Sequence, residues 1–158
     1  MKALSVAQPW AGMIMDGVKD IEIRTWAPKN SRLPMRIAII SCKQPSGIKP
    51  YLDPNMPGVV RPGIGTLTPQ FYIYNHPGIM PRGYILGDVL LTEIKTYHDV
   101  ETWRADRERH RVPGSLFKPG ILGWKLEDPR KLTRPRPYRG RLSLYEIPDS
   151  ELDRLYDD

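Results

Sequence analysis

The sequence predicts a mainly β domain with short helices, an α+β fold whose strands curl into a partly closed barrel. Three observations carry this prediction. Polar and apolar residues alternate over 19–25, and an unbroken apolar run fills 37–40; both are strand patterns. Helical spacing recurs only in stretches of two or three turns. Seventeen of the 158 residues are proline, twice the usual ~5%. Proline is excluded from helix interiors and central strands, so much of the chain must be loop.

Residues 3–6 read as a short strand, stopped by Gln8-Pro9, with Pro9 suited to the first position of a helix. Trp10, Met13, Ile14 and Gly17 follow at i, i+3, i+4 and i+7, one apolar helical face. Gly17 suits the left-handed backbone that ends a helix. Over 19–25, Ile21 and Ile23 alternate with Asp20, Glu22 and Arg24, which predicts a half-buried strand with its charges on one face. Residues 35–41 form the next strand, and their apolar run suits a barrel interior. Between 44 and 82 lie eight prolines and five glycines. This stretch is a long loop, either a lid over a pocket or an insertion, in which 70–74 could pair as a short strand. Residues 83–96 predict a long strand, with Gly87 marking a bulge or barrel corner. A charged helix capped by Asp99 spans 99–110. Strands at 121–126 and 142–147 complete the set. One domain therefore covers 1–148, and the acidic residues 149–158 form a tail or a short helix. Five or six strands with two or three helices fit a small barrel.

The net charge of +6 and isoelectric point near 9.5 either serve solubility or favour an anionic partner such as nucleic acid or nucleotide. Cys42 is the one cysteine, so no intramolecular disulfide forms, as befits a reducing compartment. The apolar N-terminal stretch is broken at Gln8-Pro9 and again at Asp16 and Lys19. No run of ~18 apolar residues exists, so a cytoplasmic location is expected, with no membrane partner. His76, His98 and His110 show no metal spacing, and neither a metal nor another cofactor is expected. Ser41 with Lys43 lacks a third group for nucleophilic work. Gly63-Ile64-Gly65 lacks the rest of a phosphate loop.

Two clusters hold the chemistry. Arg130, Lys131, Arg134, Arg136, Arg139 and Arg141 follow one another without an acidic residue; Tyr138 lies inside the run and Trp124 shortly before it. Such interleaving suits phosphate contact plus base stacking on a single strand. The alternative is a solvated loop held open by Pro135 and Pro137. The second cluster is Lys19, Glu22, Arg24 and Trp26. On a strand, Glu22 and Arg24 share a face, and the long stem of Lys19 could swing round to join them. Two cations beside one carboxylate keep it ionised as an acceptor for an exocyclic amine; Arg24 offers a planar fork to phosphate or a base edge. The same spacing also suits an ordinary ion pair. Trp10 reads as core or as a stacking platform. Gln8 reads as a helix-entry cap, a partner for Lys19 or a base reader.

Taken together, Gln8-Pro9-Trp10-Ala11, residues 17–26, Gly83-Tyr84-Ile85-Leu86-Gly87-Asp88-Val89, and the stretches 124–130 and 137–142 resemble the ASCH domain family of the PUA-like barrel superfold. The family's G-x-K-x-x-E-x-R hallmark reads in full from Gly17 to Arg24. The resemblance runs from 2 to about 147 and lapses over 44–82. It implies a PUA-like barrel of about six strands with a cleft beside the first helix. It also implies RNA-related work, namely binding and, in some members, hydrolysis of an acetylated cytidine or of RNA. The amidohydrolase pattern takes a lysine, a threonine three residues later and a glutamate on a later helix. Lys19 matches, Glu22 stands in the threonine position, and the later glutamate falls at Glu108 or Glu101.

The expected function is RNA or nucleotide binding, with single strands favoured. The expected contact residues are Gln8, Trp10, Lys19, Glu22, Arg24, Trp26, Trp124, Arg134, Arg136, Tyr138, Arg139 and Arg141. The alternative is a hydrolase acting on a modified nucleoside or on RNA, with Lys19, Glu22 and Glu108 as candidate catalytic residues. A protein partner for the proline-rich stretch is a third reading, without a P-x-x-P register to support it.

Overall fold

The apolar run at 37–40 sets the centre of the sheet. In a computed structural model that describes residues 1–29, 31–53, 59–61, 65–67 and 80–156, Ile37, Ala38, Ile39 and Ile40 are all fully buried. They lie on a strand with apolar layers on both faces. Ile37 and Ile39 join the larger cluster with Leu4, Val6, Met13, Val89 and Trp124. Ala38 and Ile40 join a smaller one with Ala3, Ile85, Leu132 and Ile147. Strand alternation sends successive side chains to opposite faces, so a continuous apolar run needs cover on both sides.

The elements follow in the order β1 (Lys2–Val6), α1 (Trp10–Met15), β2 (Ile21–Arg24), β3 (Met35–Ser41), β4 (Val59–Arg61), β5 (Gly65–Leu67), β6 (Tyr84–Tyr97), α2 (Val100–Ala105), α3 (Arg107–His110), a 3-10 turn (Gly114–Leu116), β7 (Ile121–Pro137), β8 (Leu144–Glu146) and α4 (Asp149–Tyr156). Six strands form one sheet in the order β2-β7-β6-β3-β1-β8, and β4 and β5 form a separate pair. Within the six-stranded sheet only β1 and β3 run parallel. The sheet is not closed: β2 and β8 are its ends. Its curl comes from β6 and β7, long strands whose pairing shifts register three times, and each shift bends the ladder. One shift falls at Gly87, whose φ is +152°. A Cβ there would run into the Arg130 carbonyl of β7, so only glycine lets the strands approach.

Helix α1 differs from the expected amphipathic segment. All six of its residues are buried, not one face alone, because it packs on β3, β6 and β7, the central strands of the sheet. Pro9 sits just before the helix, after a cis bond from Gln8. Gly17 takes the expected left-handed turn at φ +76°.

Two further expectations change. The strand expected over 121–126 runs on to Pro137, so the residues from Arg130 to Pro137 belong to β7 and are not loop. Proline is tolerated there because β2 covers β7 only from Leu122 to Lys125; beyond it, among the described residues, no strand pairs with the second edge of β7, the edge-strand setting in which proline is accepted. The helix expected over 99–110 is two, broken at Asp106. The Asp106 carboxylate accepts from Lys95 Nζ and Tyr97 Oη, both at 2.7 Å. Asp99 caps α2 through Thr102 N at 2.8 Å. Much of the proline-rich stretch, including the strand expected at 70–74, lies outside the described residues.

Candidate nucleic-acid interface

The turn after α1 aims Lys19 inward. Met13 O accepts from both Val18 N and Lys19 N, at 2.9 and 3.1 Å, and this double anchor fixes where the Lys19 stem begins. The side chain is fully buried. Its Nζ donates to Ile21 O at 2.7 Å and to His110 O at 2.5 Å, and it lies 3.4 Å from Glu22 Oε1. It also sits 4.9 Å from the centre of the Trp10 ring, a cation–π placement. Burial pushes the Lys19 amine down to about 8; Glu22 works against the shift.

Glu22 and Arg24 share a face of β2, as their spacing requires. Arg24 Nε and Nη2 both donate to Glu22 Oε2, at 3.0 and 2.7 Å. Nη2 also reaches across to Ser5 O on β1, at 2.9 Å. Burial works to raise the Glu22 carboxyl, yet Arg24 first and Lys19 second outweigh it and hold Glu22 below the usual carboxylate range. Glu22 therefore stays ionised in an almost dry setting.

These three residues floor a recess of about 410 Å³ whose walls include Val6, Trp10, Ile23, Val112, Leu116 and Ile121. A larger trough of about 870 Å³ is lined by Lys43, Gly83 and the segment 137–143. Ser5, Arg24 and Cys42 line both hollows, so the recess and the trough adjoin at these three residues. The Cys42 thiol is pushed up, chiefly by burial, and is a poor nucleophile in this setting.

The expected contact residues divide in four. Trp10, Lys19, Glu22 and Arg24 meet in the recess, while Tyr138, Arg139 and Arg141 line the trough. Arg134 is exposed and Arg136 half-buried, both on β7 outside the two hollows. Three residues are placed elsewhere. Trp124 is fully buried and donates Nε1–H to Trp26 O at 3.1 Å; Trp26 packs edge-on against it at 4.9 Å. Neither ring lines a hollow, since a strand facing the α1 side has to fill the core. Gln8 is buried, its Oε1 accepting from Gly12 N and its Nε2 donating to Pro81 O, so its amide braces the α1 entry.

Among the candidate catalytic residues, Glu108 is exposed and lines neither hollow. Helix α3 contributes instead the main-chain carbonyl of His110, which holds Lys19. Sequence spacing gives no signal for such a contact, because any residue type carries a carbonyl. Ser5, Cys42 and the wall residues Ile23, Val112, Leu116 and Ile121 were also beyond a linear reading. Among the described residues, no group of three or more His, Cys, Asp or Glu side chains is placed to hold a metal ion, and no helix is long and apolar enough to cross a membrane.

With this geometry in hand, comparison with known families is decisive. The model of the ASCH domain matches residues 4–146. The chain belongs to the ASCH domain family. This family is generally associated with RNA binding. The ASCH domain is similar in fold to a crystal structure of ASCH from Zymomonas mobilis, with a TM-score of 0.63 and 16% identity, covering 99% of this chain and 93% of that one. Two further crystal structures of the Zymomonas mobilis protein carry single substitutions, one tyrosine to phenylalanine and one serine to alanine. Each matches at a TM-score of 0.61 and 17% identity over 99% of this chain, and over 96% and 94% of theirs. No curated protein matches this ASCH domain. The hallmark run from Gly17 to Arg24 builds the recess itself: the glycine ends α1, and the lysine, glutamate and arginine make the ionic floor.

Proposed function

We propose that this ASCH domain binds single-stranded RNA along the two adjoining hollows. One observation carries the reading: the recess floored by Lys19, Glu22 and Arg24 adjoins, at Ser5, Arg24 and Cys42, the trough edged by Tyr138, Arg139 and Arg141. Exposed arginines suit phosphates, an aromatic rim suits a base face, and a recess suits a base that has left the stack. The net charge of +6 draws an anionic chain toward the hollows.

Titrating a short fluorescent RNA strand with the protein at several salt concentrations tests this. Affinity should fall linearly in log–log form, with a slope of about −0.7 per phosphate contacted. Absent binding, or binding indifferent to salt, would refute the proposal.

A second reading, hydrolysis of a modified nucleoside or of RNA, is supported by the Lys19 amine, lowered to about 8 beside Glu22. The contacts of that amine weigh against it, because it donates to Ile21 O and His110 O and its charge is paired with Glu22. Incubation with acetylated cytidine and with RNA, beside a folded Lys19→Met control, decides the matter. Turnover lost in the control supports hydrolysis; no turnover in the natural protein removes it.

A further inference from the structure

The recess floor carries an acceptor and a donor side by side, each with capacity to spare. Glu22 Oε2 takes both Arg24 bonds, at 3.0 and 2.7 Å. Oε1 has Lys19 Nζ at 3.4 Å, well beyond the ~2.7–2.9 Å of a charge-assisted hydrogen bond. Glu22 lines the recess, so its Oε1 has room for a shorter bond from a further donor. Arg24 spends Nε and Nη2 on Glu22 and Ser5 O, and Nη1 has no part in those bonds. Above this floor stand Trp10, Ile23, Leu116 and Ile121, apolar surfaces suited to the faces of a flat ring. A volume of about 410 Å³ takes one nucleoside-sized group.

We propose that the recess seats one unstacked nucleobase bearing an amino group, which gives an N–H to Glu22 Oε1 while an acceptor of the same base edge meets Arg24 Nη1. The assignment rests on the single-strand reading above and adds its base preference. Adenine, cytosine and guanine each present an exocyclic amine beside an acceptor. Uracil presents a single edge N–H between two carbonyl oxygens. A carboxylate that takes this N–H also faces an oxygen, and like partial charges repel. Arg24 and Lys19 hold Glu22 ionised, so the repulsion is not relieved by protonation near neutral pH.

The test uses the whole chain and short fluorescent oligouridylates in which one central uridine is replaced by cytidine, adenosine or guanosine. Each amino-bearing strand should bind the natural protein about tenfold more tightly than the all-uridine strand. In Glu22→Gln, which offers an amide N–H where there was only an acceptor, the preference should vanish while the salt dependence stays. If that variant does not fold, the series on the natural protein decides alone. Salt-dependent binding of all strands with equal affinity overturns this assignment and leaves the single-strand reading standing. A preference that survives in a folded Glu22→Gln also overturns it. Failure to bind any strand at low salt overturns both.

Discussion

Lys19 has no exposed side-chain surface, and what keeps a buried amine tolerable is its ring of oxygens: Ile21 O, His110 O and Glu22 Oε1. Removing one partner of such a group strands the others. Lys19→Ala should therefore lose about 3–5 kcal/mol of stability in urea unfolding, with Lys19→Met losing less because it refills the volume. His110 makes a second residue-scale prediction. Its Nδ1 accepts from Val112 N at 2.9 Å, so Nε2 carries the proton and donates to Trp103 O at 2.8 Å. Burial pushes the imidazole down to about 4 from its ordinary 6.5. On acidification the unfolded chain binds this proton first, so stability present above pH 6.5 drains away down to pH 4. The loss should reach roughly 3 kcal/mol, read from chemical unfolding at stepped pH. In His110→Asn, which keeps an acceptor for Val112 N, the slope between those pH values should flatten. The charged trio was legible because strand alternation places Glu22 and Arg24 together. The partners of Lys19 were not, since main-chain carbonyls carry no residue signature.

At the scale of elements, the register shifts of β6 and β7 give the sheet its curl, and the end of β7 leads into the segment that lines the trough. Gly87 is the point of closest approach, its Cβ position already occupied by the Arg130 carbonyl. Gly87→Ala should cost at least about 3 kcal/mol, measured as a drop in the unfolding midpoint. The basic run divides by element as well. Arg130 pairs with buried Asp88, and Lys131 with Asp16 at 2.6 Å, so these two serve the fold. Arg139 and Arg141 leave the sheet and line the trough. Substituting either by alanine should shrink the salt slope of RNA binding by about 0.7 while the unfolding midpoint holds. The element map was largely readable from period and glycine placement. The length of β7 was not, because proline argues against strand until one sees that, among the described residues, no strand pairs with the second edge of β7 past Lys125.

The whole molecule is an open sheet whose two end regions are joined by a side chain. Arg24 on end strand β2 reaches Ser5 O on β1, bridging the side that hydrogen-bonded strands leave open, with α1 packed inside. Arg24→Lys keeps the charge but loses the fork. The amides of β2 should then exchange with solvent about tenfold faster, while those of β3 at the sheet centre keep their protection. An exchange pattern unchanged across β2 would show that the bridge contributes nothing to closure.

The strand pattern, the glycine positions, the positive charge and the spacing of Lys19, Glu22 and Arg24 can all be read along the chain, because periodicity and local backbone preference act between near neighbours. Which of these side chains meet depends on contacts between distant segments. Folding buried Trp124 and Gln8, left Glu108 on the surface, and brought Ser5 and Cys42 to the hollows and the His110 carbonyl to Lys19. Those outcomes depend on how distant strands pair and which faces the closing sheet covers, and no local pattern encodes that.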